Sequence, residues 1–137
     1  MARNLGDLKV LVVEDSPAAA KLLQMVLAGL GIHQTFIARD GKAAQDFLDA
    51  ADDLVDLIIC DWNMPRMTGI ELLCQVRTVY PDMPFMMVTG NSDFESVKTA
   101  MDAGVNAYIT KPFSAGQVET KLLALTSGMD QPVVFSD

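Results

Sequence analysis

Residues 56–69 read DLIICDWNMPRMTG. The apolar run Leu57-Ile58-Ile59-Cys60 has the length and β-branched content of a buried strand. It ends abruptly in the carboxylate of Asp61, followed by Trp62, Asn63, Met64 and Pro65. Aspartate is a common turn residue, so Asp61 alone could simply end a strand. The segments around it decide whether it does more.

Four more short apolar runs resemble it: KVLVV (9–13), HQTFIA (33–38), PFMMVT (84–89) and NAYIT (106–110). Helical patterns alternate with them. Ser16-Pro17 is an N-cap followed by proline at the first helical position, and Leu22, Leu23, Val26, Leu27 and Leu30 keep helical spacing up to Gly31. Asp40 caps a second helix with Ala43, Ala44, Phe47 and Leu48 on its inner face. Thr68 with Glu71 predicts a capping box for a third helix carrying Leu72, Leu73 and Val76. Ser92 with Glu95 predicts another for a fourth helix, lined by Phe94, Val97 and Met101 and ended by Gly104. Ser114 with Gln117 starts the fifth, with Val118, Leu122 and Leu125 inward. Residues 126–137 keep no period and read as a flexible extension after a domain spanning 1–125.

Strand followed by helix, five times over, with near-continuous apolar strands, predicts a parallel sheet covered on both faces. Right-handed crossovers make this a doubly wound α/β fold. Composition agrees with one well-cored domain. The chain has 137 residues, 50% hydrophobic and 20% charged. Its formal charge of -8 disfavours nucleic acid or an anionic membrane as partner. Cys60 and Cys74 both sit in apolar patterns and are expected to be reduced, buried and inert. With no convincing signal peptide and no apolar run near the ~20 residues of a membrane span, a cytoplasmic location is expected.

In doubly wound sheets the functional crevice lies beyond the carboxyl ends of the strands. Strand one ends in Glu14-Asp15, strand three in Asp61, strand four in Thr89, and strand five runs into Thr110-Lys111. Three acids packed together repel one another unless a cation joins them. Oxygen ligands alone, without histidine or cysteine, suit Mg²⁺ rather than zinc. The one histidine, His33, reads as a surface or edge residue at the start of strand two. A carboxylate can also attack phosphorus and become an aspartyl phosphate. That chemistry needs a metal, a cation and a hydrogen-bond donor around the phosphoryl oxygens. Asp61 with Mg²⁺, Lys111 and Thr89 supplies each part. Trp62 and Met64 read as exposed packing or contact residues, and Met86 and Met87 as core filler.

The stretches VVEDS (12–16), DWNMP (61–65), VTG (88–90) and YITKPF (108–113), in this order and on these elements, resemble the receiver domain of bacterial response regulators. The resemblance spans roughly residues 8–125. It implies a flavodoxin-like fold with strand order 2-1-3-4-5, which places Asp61 on the central strand. Asp61 would accept a phosphoryl group from a sensor histidine kinase or phosphotransfer protein. Asp15, Asp61 and the backbone carbonyl of Asn63 would hold Mg²⁺ directly, with Glu14 assisting through water. Lys111 would pair with Asp61 and then with the phosphoryl group. Thr89 would turn toward that group, and Tyr108 would follow from an exposed to a buried rotamer. The resemblance also implies a cis Lys111-Pro112 peptide. Glu14, where aspartate is common, and Gly90, where alanine is frequent, depart from the family pattern.

The implied protein is a switch rather than an enzyme on external substrates, although it assists its own phosphoryl transfer and hydrolysis. Its output would pass through the face of helix four, strand five and helix five to a downstream protein, such as a flagellar motor component or another signalling protein. A chemotaxis-type regulator, a phosphorelay shuttle and a phosphorylation-independent interaction module are the alternatives within this class. A dehalogenase-like phosphatase would need an acid where Asn63 stands. A flavin carrier would need a Ser/Thr/Gly-rich phosphate loop where EDSPAAA (14–20) stands.

Overall fold

A computed structural model describes residues 5–50 and 55–127. After a short 3-10 turn, Leu5–Asp7, the chain alternates β1 (Lys9–Val13), α1 (Pro17–Gly29), β2 (Gln34–Ala38), α2 (Gly41–Ala50) and β3 (Leu57–Cys60). It continues with α3 (Gly69–Val79), β4 (Phe85–Thr89), α4 (Phe94–Asp102), β5 (Ala107–Thr110) and α5 (Ala115–Ser127). The five strands are parallel and lie in the order β2-β1-β3-β4-β5, as the resemblance implied.

Successive side chains on a strand point to opposite faces, and here that alternation builds two cores. Leu11, Val13, Ile58, Cys60, Phe85, Met87 and Tyr108 pack with Leu48, Leu72, Leu73, Val76 and Ala100 of α2, α3 and α4. Val10, Val12, Leu57, Ile59, Met86, Val88 and Ile109 pack with Leu23, Leu27, Val118, Leu122 and Leu125 of α1 and α5. Every residue of β3 and β4 is therefore buried, and each of these strands reads as an unbroken apolar run.

The expected caps form at Ser16, Asp40, Thr68 and Ser114. Their side chains accept from the amides of Ala19, Ala43, Glu71 and Gln117 at 2.8–3.2 Å. The expected Ser92–Glu95 box does not form. Asp93 is the N-cap of α4, its carboxylate accepting from the amide and hydroxyl of Ser96. Two adjacent residues could cap this helix, and the charged acceptor takes the position. Gly31 and Gly104 close α1 and α4 in the left-handed region, where glycine meets no steric penalty.

Four packing expectations are corrected. On α4, Val97, Ala100 and Ala103 share the inward face. Phe94 and Met101 lie about a quarter-turn or more away and are exposed. On α1, Leu22 is likewise exposed, because Ala20, Leu23 and Leu27 fill the sheet contact. Cys74 faces solvent on α3, whereas Cys60 is buried. Met64 is the reverse case. Expected outside, it is buried in the core layer of α2 and α3, with Trp62 partly buried against the same layer. The first two residues of the expected extension continue α5 through Ser127; residues 128–137 lie outside the described residues. No described helix is long and apolar enough to cross a membrane.

Arg77 holds the amino ends of β4 and β5. Its half-buried guanidinium donates to the carbonyls of Met83 and Gly104 and to the side chain of Asn106, which itself accepts from the Phe85 amide. Burial lowers the pKa of Arg77 below the usual guanidinium value, with the Asp82 charge opposing it. Arg77→Ala strips donors from several carbonyls at once. We expect it to cost about 3 kcal/mol, read as a lower urea midpoint at unchanged slope.

Candidate functional site

The carboxyl ends of β1 and β3 deliver Glu14, Asp15 and Asp61 to one place. Carboxylate oxygens of all three lie within 4.8 Å of one another. Glu14 is 2% exposed and Asp61 9%, while Asp15 is open to solvent. Lys111, just past β5, reaches across the crevice. Its ammonium donates to Glu14 Oε1 at 3.1 Å and to Asp61 Oδ2 at 3.2 Å. Burial opposes the charged ammonium, but the Glu14 bond and the Asp61 charge outweigh it, and the pKa of Lys111 is raised. Burial also raises the pKa of Glu14. The Ser16 amide and Lys111 pull it down, and the Asp61 charge adds to the rise.

Among the described residues, the groups that could ligate a metal here are all carboxylates. Hard oxygen ligands, two of them sheltered and one open, fit a magnesium ion that keeps part of its water shell. The Asn63 amide donates to Asp61 Oδ1 at 3.3 Å, so the first turn of the loop wraps the carboxylate.

Thr89 is fully buried at the end of β4, its hydroxyl accepting from the Asn91 amide. Tyr108 is buried on β5, with its hydroxyl on the Asn91 carbonyl. The Asn91 side chain in turn accepts from Asn63 Nδ2. Asn91 thus joins Thr89, Tyr108 and the β3–α3 loop. Nothing in its sequence context singled it out, because the three partners come from separate elements. Burial pushes the Tyr108 pKa up to about 12, helped by the charges of Asp93 and Asp61. The folded value exceeds the ordinary 10. The associated stability is therefore intact below pH ~10 and is lost as pH rises through ~12. We expect the difference in phenolate absorbance between wild type and Tyr108→Phe to titrate near 12. A midpoint near 10 would contradict the buried placement.

Gly69, first residue of α3, is a further residue the sequence reading passed over. A Cβ there would overlap the Asp61 carbonyl oxygen and lie 2.9 Å from Trp62 Cα. Its amide donates to the Trp62 carbonyl at 2.8 Å. A glycine inside an otherwise good helix start was the available signal. Gly69→Ala is expected to cost about 2 kcal/mol and to shift Asp61, so the Mg²⁺ affinity falls together with the thermal midpoint. The loop between is anchored elsewhere too. Arg66 takes a left-handed φ of 68° and pairs with Asp40 at 2.9 Å, and Met64 is buried. The pKa of Asp40 lies below the usual carboxylate value, mainly through the Ala43 amide, with Arg66 also contributing. The Lys111-Pro112 peptide is cis.

A five-stranded doubly wound sheet with three carboxylates and a lysine at its carboxyl edge defines a receiver-type domain. Residues 10–123 match the family model described as the response regulator receiver domain, and the chain belongs to that family. It is 42% identical over 117 residues to the chemotaxis protein CheY homolog of Campylobacter jejuni, covering 84% of this chain and 89% of that protein. Identity to chemotaxis protein CheY-3 of Vibrio cholerae is 36% over 118 residues, covering 85% and 89%. Among solved structures, chemotaxis protein CheY4 of Vibrio cholerae superposes with a TM-score of 0.76 at 31% identity, covering 84% of this chain and 95% of that one. The CheX-CheY-BeF3-Mg complex of Borrelia burgdorferi superposes with a TM-score of 0.82 over 86% and 88% of the two chains; at 24% identity it speaks to the fold alone. The chain is thus a receiver domain of the kind found in CheY-type chemotaxis response regulators, which supports a role in two-component signalling.

Proposed function

We propose that this chain is a phosphorylation-controlled switch whose phosphoacceptor is Asp61. The observation that carries the reading is the convergence of Glu14, Asp15 and Asp61 with Lys111 bonded to two of them. A carboxylate oxygen of Asp61 attacks the phosphorus of a phosphohistidine on a sensor kinase or phosphotransfer protein. The P–O bond forms as the P–N bond breaks, and the departing imidazole takes up a proton. Hydrolysis later transfers the phosphoryl group to water and restores the carboxylate, so the chain assists its own resetting without acting on external substrates.

Glu14, Asp15, Asp61 and the Asn63 carbonyl would hold Mg²⁺, which when bound offsets the charge of the phosphoryl oxygens. Lys111 exchanges its bond to Asp61 for one to the phosphoryl group. Thr89 turns its hydroxyl from the Asn91 amide and donates to a phosphoryl oxygen. Thr89 and Tyr108 both connect to Asn91, so a shift of one alters the support of the other. Tyr108 also lines a groove of roughly 960 Å³ with Phe94, Val97, Met101, Ile109 and Lys121. Phe94 is 79% exposed and Met101 46%. This α4–β5–α5 face is the proposed surface for a downstream protein in a chemotaxis-type pathway, in the cytoplasm. Phosphorylation biases two states of this face and changes its affinity for that protein.

The test is intact mass after incubation with a small acyl phosphate or phosphoramidate, with and without Mg²⁺. One added phosphoryl group that requires Mg²⁺ is expected. No adduct in a chain that binds Mg²⁺ would favour the interaction-module reading.

A further inference from the structure

We propose that Cys60 is a positioning residue for the phosphoacceptor, acting through the carbonyl of Asp61. This rests on the reading of Asp61 given above. At Asp61 the chain leaves the sheet. Its amide still donates to the Val13 carbonyl at 3.1 Å, but among the described residues its own carbonyl accepts from no strand amide. Among the described residues, the donor to that oxygen is the buried thiol of Cys60, at 3.0 Å. The next carbonyl, that of Trp62, accepts from Gly69, whose missing side chain gives the Asp61 carbonyl its room.

Two successive peptide planes are therefore turned toward α3, one by the thiol and one by Gly69. Rotating the first of these planes swings the chain that follows. The Asp61 carboxylate and the Asn63 peptide lie on either side of that hinge. Asn63 N–H reaches back to Asp61 Oδ1, so the two move together. An apolar side chain at position 60 would fill the core equally well, yet it would leave the Asp61 carbonyl without its donor. The thiol itself touches neither substrate nor metal.

Cys60→Val keeps an apolar side chain of similar size and removes the donor. Cys60→Ser keeps a donor, and Cys60→Ala serves where valine does not fold. The primary readout is Mg²⁺ affinity, followed by the fluorescence of Trp62 two residues away, with the thermal midpoint of the metal-free chain beside it. Residues that orient metal ligands typically set affinity by about tenfold or more. We expect Cys60→Val to weaken Mg²⁺ binding about tenfold, to slow phosphoryl uptake in step and to lower the metal-free midpoint by a few degrees, because a buried carbonyl loses its donor. Cys60→Ser should recover most of the affinity and the uptake. Mg²⁺ affinity for Cys60→Val within twofold of wild type would overturn the proposal. So would a loss that serine does not recover, which would assign the effect to packing. Wild type that binds Mg²⁺ but takes no phosphoryl group would overturn the phosphoacceptor reading alone, and the affinities would still decide the role of Cys60. Wild type that binds no Mg²⁺ would overturn both.

Discussion

Replacing Asp61 by asparagine is expected to abolish phosphoryl uptake and leave the fold intact. The amide oxygen is a far weaker nucleophile toward phosphorus than a carboxylate. The fold survives because the substitution is isosteric and Lys111 keeps its bond to Glu14. Removing one of three neighbouring negative charges also relieves repulsion, since the Asp61 charge helps raise the Glu14 pKa. The metal-free variant should therefore melt no lower than wild type. Added Mg²⁺ should raise the wild-type midpoint and raise the variant midpoint less, because the ion binds only the folded chain and the variant holds it more weakly. Intact mass and a thermal scan read both effects. A phosphoryl adduct on Asp61→Asn would remove Asp61 from the centre of the mechanism.

Lys111→Ala is expected to have the second-largest effect, and on two quantities. Among the described contacts, its ammonium is the one cation bonded to both Glu14 and Asp61. Without it, Glu14 is a buried carboxylate facing two other acids. Removing one partner of a fully buried pair costs about 3–5 kcal/mol. The Lys111 side chain is 31% exposed, so water screens part of the interaction and we expect a loss of about 2 kcal/mol. The pH dependence has a definite sign. The folded pKa of Glu14 is already raised, so its contribution is favourable below pH ~4.5 and is lost as pH rises through the folded value. Deleting Lys111 moves that folded value further up, so the variant should regain stability on acidification sooner than wild type. Mg²⁺ should restore it at neutral pH. Phosphoryl uptake should fall about 100-fold, the usual cost of losing one group that stabilises transferred charge. Wild-type uptake rates would remove Lys111 from the transfer step.

Much of this architecture is legible in the chain itself. The β3 run Leu57–Cys60 reads as a doubly covered strand because parallel sheets bury both faces, and every residue of it is buried. Thr68–Glu71 and Ser114–Gln117 read as caps because capping is local chemistry within four residues. The acids and the lysine are legible because each stands at a strand end, which depends only on the element order. The α4 start was misread by one residue because Ser92 and Asp93 are both competent caps, and local sequence does not rank them.

The misjudged side chains have a common cause. Phe94, Met101 and Leu22 are apolar and correctly spaced, but each sheet contact is narrower than the apolar stripe that the spacing defines. Met64 follows a strand end and precedes a proline, a context that reads as surface. The left-handed turn at Arg66 and its bond to Asp40 accompany a loop folded back over the core.

The alternation of strand and helix, the two-sided sheet and the identity of the residues at its carboxyl edge all follow from local pattern. Periodicity and capping act over a few residues and leave their mark in any short window. Long-range packing is what brings Lys111 between Glu14 and Asp61, Asn91 between Thr89 and Tyr108, and Gly69 against the Asp61 carbonyl that the Cys60 thiol meets. Lys111 is 97 positions from Glu14 along the chain and one hydrogen bond away in space. Such pairings follow from packing the crossovers onto the sheet, which no local pattern encodes.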